Sequence, residues 1–302
     1  MYYNMQVHSA YDLLNSTIKY ESLFSKLAKD NQKSVVIVDP NMYGAIKAHK
    51  ASEKAGINLI QGLEVNLGYG IGLLKFNLLC KTEKMFYKLL EISTKFMNGE
   101  EWTVEDFSND MIDYREDFVL IVVDELRDSM EFSYLKNLLS KYDFYFGFNE
   151  SFQVGLYSDY DNIVYTKPSY YLNKEHYQQV IVSRAIRDNK KLNIQELTTI
   201  SGEDFVREQK DFEEILALGD EELYAIFEKS FANQKLIIDS CKYELNFSGY
   251  HLPKYIYGEK EEIFEKLSSK EYLHYLVQKG VKEKLVGKDV YQYQKRYSYE
   301  LK

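Results

Sequence analysis

Ser34-Val35-Val36-Ile37-Val38, with the segment running on to Ala55-Gly56-Ile57-Asn58-Leu59-Ile60, decides the fold class. The apolar run is too short for a buried helix. It also lacks the period-two alternation of a strand with one wet face, so it reads as a strand covered on both sides. Asn41 is placed to cap the helix that runs to Ala55, and Gly56 to end it as a left-handed C′ residue. A second strand is expected over Ile57–Leu67. Buried strand, helix, strand is the parallel-sheet unit, because parallel strands need a crossover long enough to hold a helix.

Outward from this unit the alternation continues on both sides. Upstream, Tyr2–His8 predicts a short strand and Ile18–Lys29 a helix, with Leu23, Phe24 and Leu27 on one face. Downstream, strands are expected at Leu73–Cys80, Phe118–Val123, Asp143–Phe148 and Asn162–Tyr165, and a helix at Thr82–Met97. The pattern predicts an α/β fold, a parallel sheet or barrel wrapped by helices. Residues 99–117 hold eight acidic side chains against Arg115 alone and read as a solvated segment anchored by Trp102 and Phe107. From about residue 200 helices take over. Leu223, Ile226, Phe227, Phe231, Ile238 and Cys241 share one face of a long helix starting near Asp220, and a break follows at Gly249-Tyr250-His251-Leu252-Pro253. Further helices are expected at Lys270–Lys279 and from Asp289 onward, where Leu273, Leu276 and Tyr297 lack an obvious cover. The expected partition is a barrel core over 1–200, a helical segment completing it over 201–255, and the start of another region over 256–302.

Composition excludes several classes. The chain has 302 residues and a net charge of −9, so it is poorly suited to be a main grip on a phosphate backbone, although a local basic patch is compatible with that charge. Nothing resembles a signal peptide, and no apolar run approaches the roughly 20 residues that span a bilayer. Cys80 and Cys241 are far apart in apolar surroundings, which fits a reducing cytoplasm.

Local motifs are sparse. Gly68-x-Gly70-x-Gly72 is followed by a strand instead of a helix, so it reads as a hairpin turn and not a dinucleotide loop. Asp159-x-Asp161 has the spacing of Mg²⁺-binding carboxylates but sits in a polar loop. His49 falls with Met42, Ala45 and Ile46 on a buried helix face, and His176 and His274 have no ligand-spaced acidic or Cys neighbour. A thiolate nucleophile at either cysteine has no His partner in sequence.

Several longer stretches do carry a resemblance. Gln6-Val7-His8-Ser9-Ala10-Tyr11-Asp12-Leu13-Leu14-Asn15-Ser16 resembles the His-Val-His-Ser-x-Tyr-Ser-Leu-Leu-Asp-Gly opening of bacterial DNA polymerase III alpha subunits. Val38-Asp39-Pro40-Asn41-Met42-Tyr43-Gly44-Ala45 stands where that family has Thr-Asp-His-Gly-Asn-Leu-Phe-Gly-Ala. Lys54-Ala55-Gly56-Ile57-Asn58-Leu59-Ile60-Gln61-Gly62-Leu63-Glu64-Val65 is similar to Lys-Ala-Gly-Ile-Lys-Pro-Ile-Ile-Gly-Cys-Glu-Val. Tyr250-His251-Leu252-Pro253-Lys254-Tyr255 matches its Tyr-His-Leu-Pro-Lys-Phe turn. Tyr293 to Leu301 is similar to the helix leading into the palm.

The resemblance implies a polymerase-and-histidinol-phosphatase (PHP) domain, a distorted (β/α)7 barrel followed by a mainly helical carboxy-terminal segment. In members that keep it, a cluster of divalent metals at the barrel mouth supports phosphoester hydrolysis, with His, Asp, Glu and Cys as ligands. Here the matching positions retain His8, Asp39 and Glu64, while Gln6, Asn15, Pro40, Lys75, Pro168 and Tyr170 stand in place of ligands. The expectation is therefore no metal, no cofactor and no catalytic residue in this chain. Mg²⁺ would belong to the palm of the parent polymerase, expected beyond Lys302. Implied partners are the palm and thumb, replisome proteins such as a proofreading subunit or clamp, and DNA indirectly, with no membrane. The rival readings are a PHP phosphoesterase or 3′–5′ exonuclease with a reduced centre at His8, Asp39 and Glu64, and a free-standing PHP-like protein.

Overall fold

Strand β1 (Ser34–Asp39) is buried at all six positions, as a doubly covered strand must be. The computed structural model describes residues 2–70, 72–123, 129–149, 158–193, 202–217, 221–245 and 267–301. It divides into two units, Met1–Leu245 and Asn246–Lys302. In the first, helix α1 (Tyr20–Lys29) precedes β1, and α2 (Ala45–Ala55) links β1 to β2 (Asn58–Tyr69). Strand β3 (Gly72–Cys80) follows through a hairpin whose turn places Gly70 at φ 57. Helices α3 (Glu83–Met97) and α4 (Val104–Asp110) lead to β4 (Phe118–Val122). After α5 (Ser129–Leu139) come β5 (Phe144–Phe148) and β6 (Ile163–Tyr165), then α6 (Tyr177–Arg187), α7 (Gln209–Ala217) and α8 (Glu221–Ser240).

The six strands form one sheet in sequence order. Pairs β1–β2, β4–β5 and β5–β6 are parallel, and β2–β3 and β3–β4 antiparallel. The expected Tyr2–His8 strand contracts to a bridge at Val7, which pairs with Ile37 of β1 on one side and Ser169 on the other. Ser169 lies just past β6, so both ends of the sheet converge on one residue and the sheet must curl. Val36 of β1 and Val164 of β6 accordingly meet in a single apolar cluster on the concave face, with Ile60, Leu79, Val119 and Ile121 between them. The convex face packs Leu63, Val65, Phe76, Leu78, Leu120 and Phe146 beneath the helices. Each such fully buried side chain contributes roughly 1.5–3 kcal/mol relative to exposure.

Helix α8 does more than supply apolar cover. Its buried Ser230 hydroxyl accepts the Tyr165 N–H (2.7 Å), and Gln234 Nε2 donates to the Tyr165 carbonyl (2.9 Å). Gln234 Oε1 also accepts the Tyr3 N–H (3.1 Å). Side-chain groups thus satisfy the edge of β6 where another strand would otherwise be needed.

Some expectations shift in detail. Asn41 does not cap α2; its side chain accepts the Tyr43 N–H in the preceding turn, and the helix starts at Ala45. Gly56 ends α2 in the left-handed region as expected. Ile46 is 44% exposed, so the buried face of α2 is Ala45, Ala48, His49 and Ser52. The 99–117 stretch holds a helix, α4, whose capping box pairs Thr103 with Asp106 and drives Val104, Phe107 and Met111 into the core. Asp159 and Asp161 lie in an exposed turn. The break at 249–253 and the boundary near 255 lie outside the described residues; α7 and α8 belong to the first unit. In the second unit, α9 (Ser269–Lys284) and α10 (Val290–Glu300) leave Leu273 and Leu276 exposed.

Two outcomes follow from this packing. Gln234→Leu keeps the volume but orphans the Tyr3 N–H and the Tyr165 carbonyl, so urea denaturation should show a loss of about 2–3 kcal/mol. His49 is held neutral by burial, its pKa pushed down to about 4. An unfolded histidine takes its proton near pH 6.5, so the unfolded chain binds more protons between those values. Stability from His49 is complete above pH 6.5 and is lost as pH falls toward 4. Wild type should lose up to roughly 3 kcal/mol more than His49→Gln over that window, read as the pH dependence of the denaturation midpoint.

Candidate functional site

The bridge at Val7 places the side chains on either side of it at the mouth of the curled sheet. Val7 N–H donates to the Val36 carbonyl (3.0 Å) and His8 N–H to the Ser169 carbonyl (2.9 Å), so His8 is fixed from two elements. Opposite, the β2–β3 register sets Glu64 across from Asn77 and Asn66 across from Lys75. Glu64 and Lys75 are therefore diagonal neighbours on one face, within reach of a long side chain. Asp39 closes β1.

Glu64 is the hub. Its Oε2 accepts from Gln6 Nε2 (3.4 Å) and lies 3.5 Å from His8 Nε2, while Oε1 lies 3.4 Å from Lys75 Nζ. His8 is fully buried, with Nδ1 3.2 Å from Asp12 Oδ2. Burial alone would push the imidazole pKa down; the Asp12 carboxylate at Nδ1 and the Glu64 charge outweigh it and raise the net value. Asp12 moves the other way: burial raises it, but the His8 partner brings it below the ordinary carboxylate range. Asp39 is buried and pushed up to about 6 by desolvation, against the Ser9 hydrogen bonds and the His8 charge. The Ser9 N–H donates to Asp39 Oδ1 (2.6 Å) and its hydroxyl to Oδ2 (2.5 Å).

A second layer orders the first. Tyr170 stacks on His8 with ring centroids 4.5 Å apart, and the Arg184 guanidinium lies 4.4 Å from the centre of the Tyr170 ring. Asn15 uses both ends of its amide: Nδ2 donates to Asp12 Oδ2 (2.6 Å), and Oδ1 accepts from Arg184 Nε (2.9 Å) and Arg187 Nη1 (3.2 Å). Pro40 follows Asp39, and Pro168 precedes Ser169; neither side chain carries a donor atom.

Of the positions singled out from sequence, the structure joins Gln6, His8, Glu64 and Lys75 directly, with Asn15 and Tyr170 one contact away. Asp39 is turned to Ser9. Sequence reading passed over Asp12, Ser9, Arg184 and Asn77. Asp12 was legible, being four residues from His8, but Arg184 arrives from α6 with no local signal. Asn77 is fully buried opposite Glu64, and neither amide atom hydrogen-bonds to a described group. Among the described residues, no group of three or more His, Cys, Asp or Glu is arranged to hold a metal ion. The thiols of Cys80 and Cys241 are buried and pushed up by desolvation, the latter to about 12. No helix among the described residues is long and apolar enough to cross a membrane.

Comparison with known proteins adds a family and a set of relatives. Residues 4–183 match the family model of the PHP domain. The DNA polymerase III subunit alpha of Staphylococcus epidermidis is 24% identical over 273 residues, covering 89% of this chain and 23% of that protein. The subunit of the same name from Staphylococcus aureus is 24% identical over 304 residues, covering 98% and 26%. The chain thus spans about a quarter of the length of these relatives. A Bifidobacterium adolescentis protein described as a metal-dependent phosphoesterase superposes with a TM-score of 0.35 at 10% identity, covering 72% of this chain and 96% of its own.

The hub predicts a coupled response to mutation. Lys75 is 37% exposed at its side chain, and Glu64 retains two other partners without it. Lys75→Met should therefore cost only about 1 kcal/mol, and Glu64→Gln no more. In the Glu64→Gln background the Lys75→Met cost should at least halve. A double-mutant cycle in urea measures this, and equal costs in both backgrounds would show that the pair is not coupled.

Proposed function

Because this chain belongs to the PHP domain family, we propose that it is the PHP portion of a bacterial DNA polymerase III alpha subunit and serves DNA replication as a structural and interaction domain. Its metal site is inactive in this reading. The polymerase relatives support the first part, since they match along nearly the whole chain and not a short motif. The observation that carries the second part is the occupation of Glu64 by Lys75, Gln6 and His8.

The donor set does not fit a cluster of dications. A metal must take a deprotonated imidazole nitrogen and a free carboxylate oxygen. Here His8 has a raised pKa between two carboxylates, which favours the imidazolium, and Lys75 brings a fixed charge to the same Glu64. Asp39 is held by Ser9 through both oxygens. Amide, proline and ammonium in the place of ligands leave too few donor atoms, and too little negative charge not already answered by the protein, to hold clustered dications.

On this reading catalysis resides elsewhere in the parent protein, a DNA-directed nucleotidyltransferase using Mg²⁺ in its palm. The PHP portion braces that palm and the thumb in the cytoplasm, offers a surface to a proofreading subunit or clamp, and meets DNA indirectly. A barrel core over 1–200, a completing segment over 201–255 and a palm-proximal region from 256 are the corresponding parts.

After dialysis against micromolar zinc or manganese, the purified chain should carry well under one equivalent of either metal and leave a generic phosphoester intact. Stoichiometric metal that disappears in His8→Ala or Glu64→Gln, with hydrolysis that disappears alongside it, would overturn the inactive-site reading. That outcome would establish instead a phosphoesterase or exonuclease centred on His8, Asp39 and Glu64.

A further inference from the structure

Two rows of apolar side chains repeat at four-residue intervals in the second unit. Leu273, Val277 and Val281 follow one another along α9, and Tyr293, Tyr297 and Leu301 along α10 to its C-cap. Side chains four apart share a helix face, so the rows form the walls of a groove of about 460 Å³. Little of it is covered. Leu273 is 50% and Leu276 42% exposed, and in the two helices only Tyr272 is buried. A pair of short helices needs a further layer to bury such a face.

The row beside Leu273 on α9 is uneven in height. Leu276 projects from it, and Gly280 follows one turn later. Glycine is disfavoured in a helix interior. The place that a Cβ would take at Gly280 is open, with nothing beyond the neighbouring backbone within 4 Å. The row therefore presents a knob and a notch. Lys284 and the Arg296–Glu300 pair stand at the rim of the groove, whereas Lys270, His274 and Lys282 border a separate cleft with Ser298.

We propose that this groove face is the interface of a homodimer, with α9 of one copy antiparallel to α9 of the other. A two-fold axis passing between positions 276 and 280 reverses the row. Leu276 of each copy then enters the notch at Gly280 of the other, as an isologous contact requires. A fluid bilayer gains nothing from a notch, which argues for a shaped partner over a lipid surface. Area supports the same occupant. A helix of 16 residues is about 24 Å long, and two side by side are about 20 Å wide. The footprint is thus roughly 480 Å² per copy and roughly 1,000 Å² for the pair, the low end of specific interfaces. Residues 267–301 hold seven Lys and Arg against four Asp and Glu, so two copies repel each other. Salt should then tighten the dimer, the reverse of its effect on attachment to an acidic surface. The proposal goes beyond the structural role argued above and does not rest on it. It leaves the cleft at Lys270, His274 and Lys282 free for other contacts.

Sedimentation velocity on the full chain from about 1 to 200 µM tests it. A monomer–dimer equilibrium with a midpoint of roughly tens of micromolar is expected, tightening as NaCl rises from about 0.05 to 0.5 M. Leu276→Ala removes the knob and Gly280→Met fills the notch, and each should weaken the dimer about tenfold. The double variant exchanges knob and notch, because each copy's 276 faces the other's 280, and should recover most of the affinity. Gly280→Met also replaces a poor helix former with a good one, and an unchanged circular dichroism spectrum checks the fold. Flotation with phosphatidylserine vesicles at low salt runs alongside. A chain still monomeric at about 200 µM, a dimer indifferent to both single variants, or one tightened by Gly280→Met as unspecific apolar contact would be, overturns the proposal. So does a double variant no better than the singles. Vesicle binding by a chain that stays monomeric would overturn it too and assign the face to acidic lipid.

Discussion

Two-sided pairing at Val7 is the constraint on which the first unit depends. One residue contributes hydrogen bonds toward β1 and lies beside Ser169, past the far end of the sheet. An open, flat six-stranded sheet cannot satisfy both partners, so the strands must curl until their ends meet. Curling brings Val36 and Val164 into one apolar cluster and pays for the ordering of the amino-terminal segment with buried surface. It also turns Gln6 and His8 toward Glu64, which lies on a strand far away in sequence. The remaining weakness is the edge of β6, a three-residue strand. Ser230, Gln234 and Asn233 of α8 close it with side-chain hydrogen bonds, the last donating to the Ile163 carbonyl at 2.8 Å.

Much of this fold was legible because its signals are local. The Val35–Val38 run, the hairpin glycines and the Gly56 terminator each act over a few residues, and each appears where its chemistry requires. Errors arose where a signal was weighed by composition alone. Acidic residues in 99–117 suggested solvent, yet Thr103 and Asp106 spell a capping box that starts a helix with a buried apolar face. The polar residues of α8 likewise look like a solvated stripe, although Ser230 and Gln234 are fully buried against backbone groups. Periodicity counts apolar side chains and is blind to polar ones recruited to finish a sheet.

The site divides along the same line. His8, Glu64 and Lys75 were legible through the resemblance, position by position. Arg184 and Asn77 were not, because one comes from a helix well over a hundred residues from His8 and the other is placed by strand register. Neither relation exists until the sheet has curled. Electrostatics then links what the fold assembles. Asp12, Asp39 and Glu64 are three carboxylates in a confined space, and His8, Lys75, Arg184 and Arg187 are the groups that answer their charge. The residual imbalance appears at Asp39, the carboxylate that relies on Ser9 and that burial pushes up to about 6.

Asn15 shows why the residues at the mouth depend on one another. Its amide nitrogen lies 2.6 Å from an Asp12 oxygen, and its carbonyl oxygen receives Arg184 and Arg187. An aspartate there would satisfy the arginines but set two carboxylates in contact, which only a proton or a cation between them could stabilise. A neutral amide resolves that conflict without either. The same reasoning joins Gln6 and Lys75 to Glu64: a hydrogen-bond donor and an ammonium supply the positive potential that a largely buried carboxylate needs. Placing a carboxylate at Asn15 alone therefore creates a repulsion that no neighbouring group relieves. A histidine in place of Gln6 would set a second imidazole beside His8, a group already biased toward its cation by Asp12 and Glu64. The charges at the mouth form one self-consistent set, and removing a single member leaves a buried group without its partner.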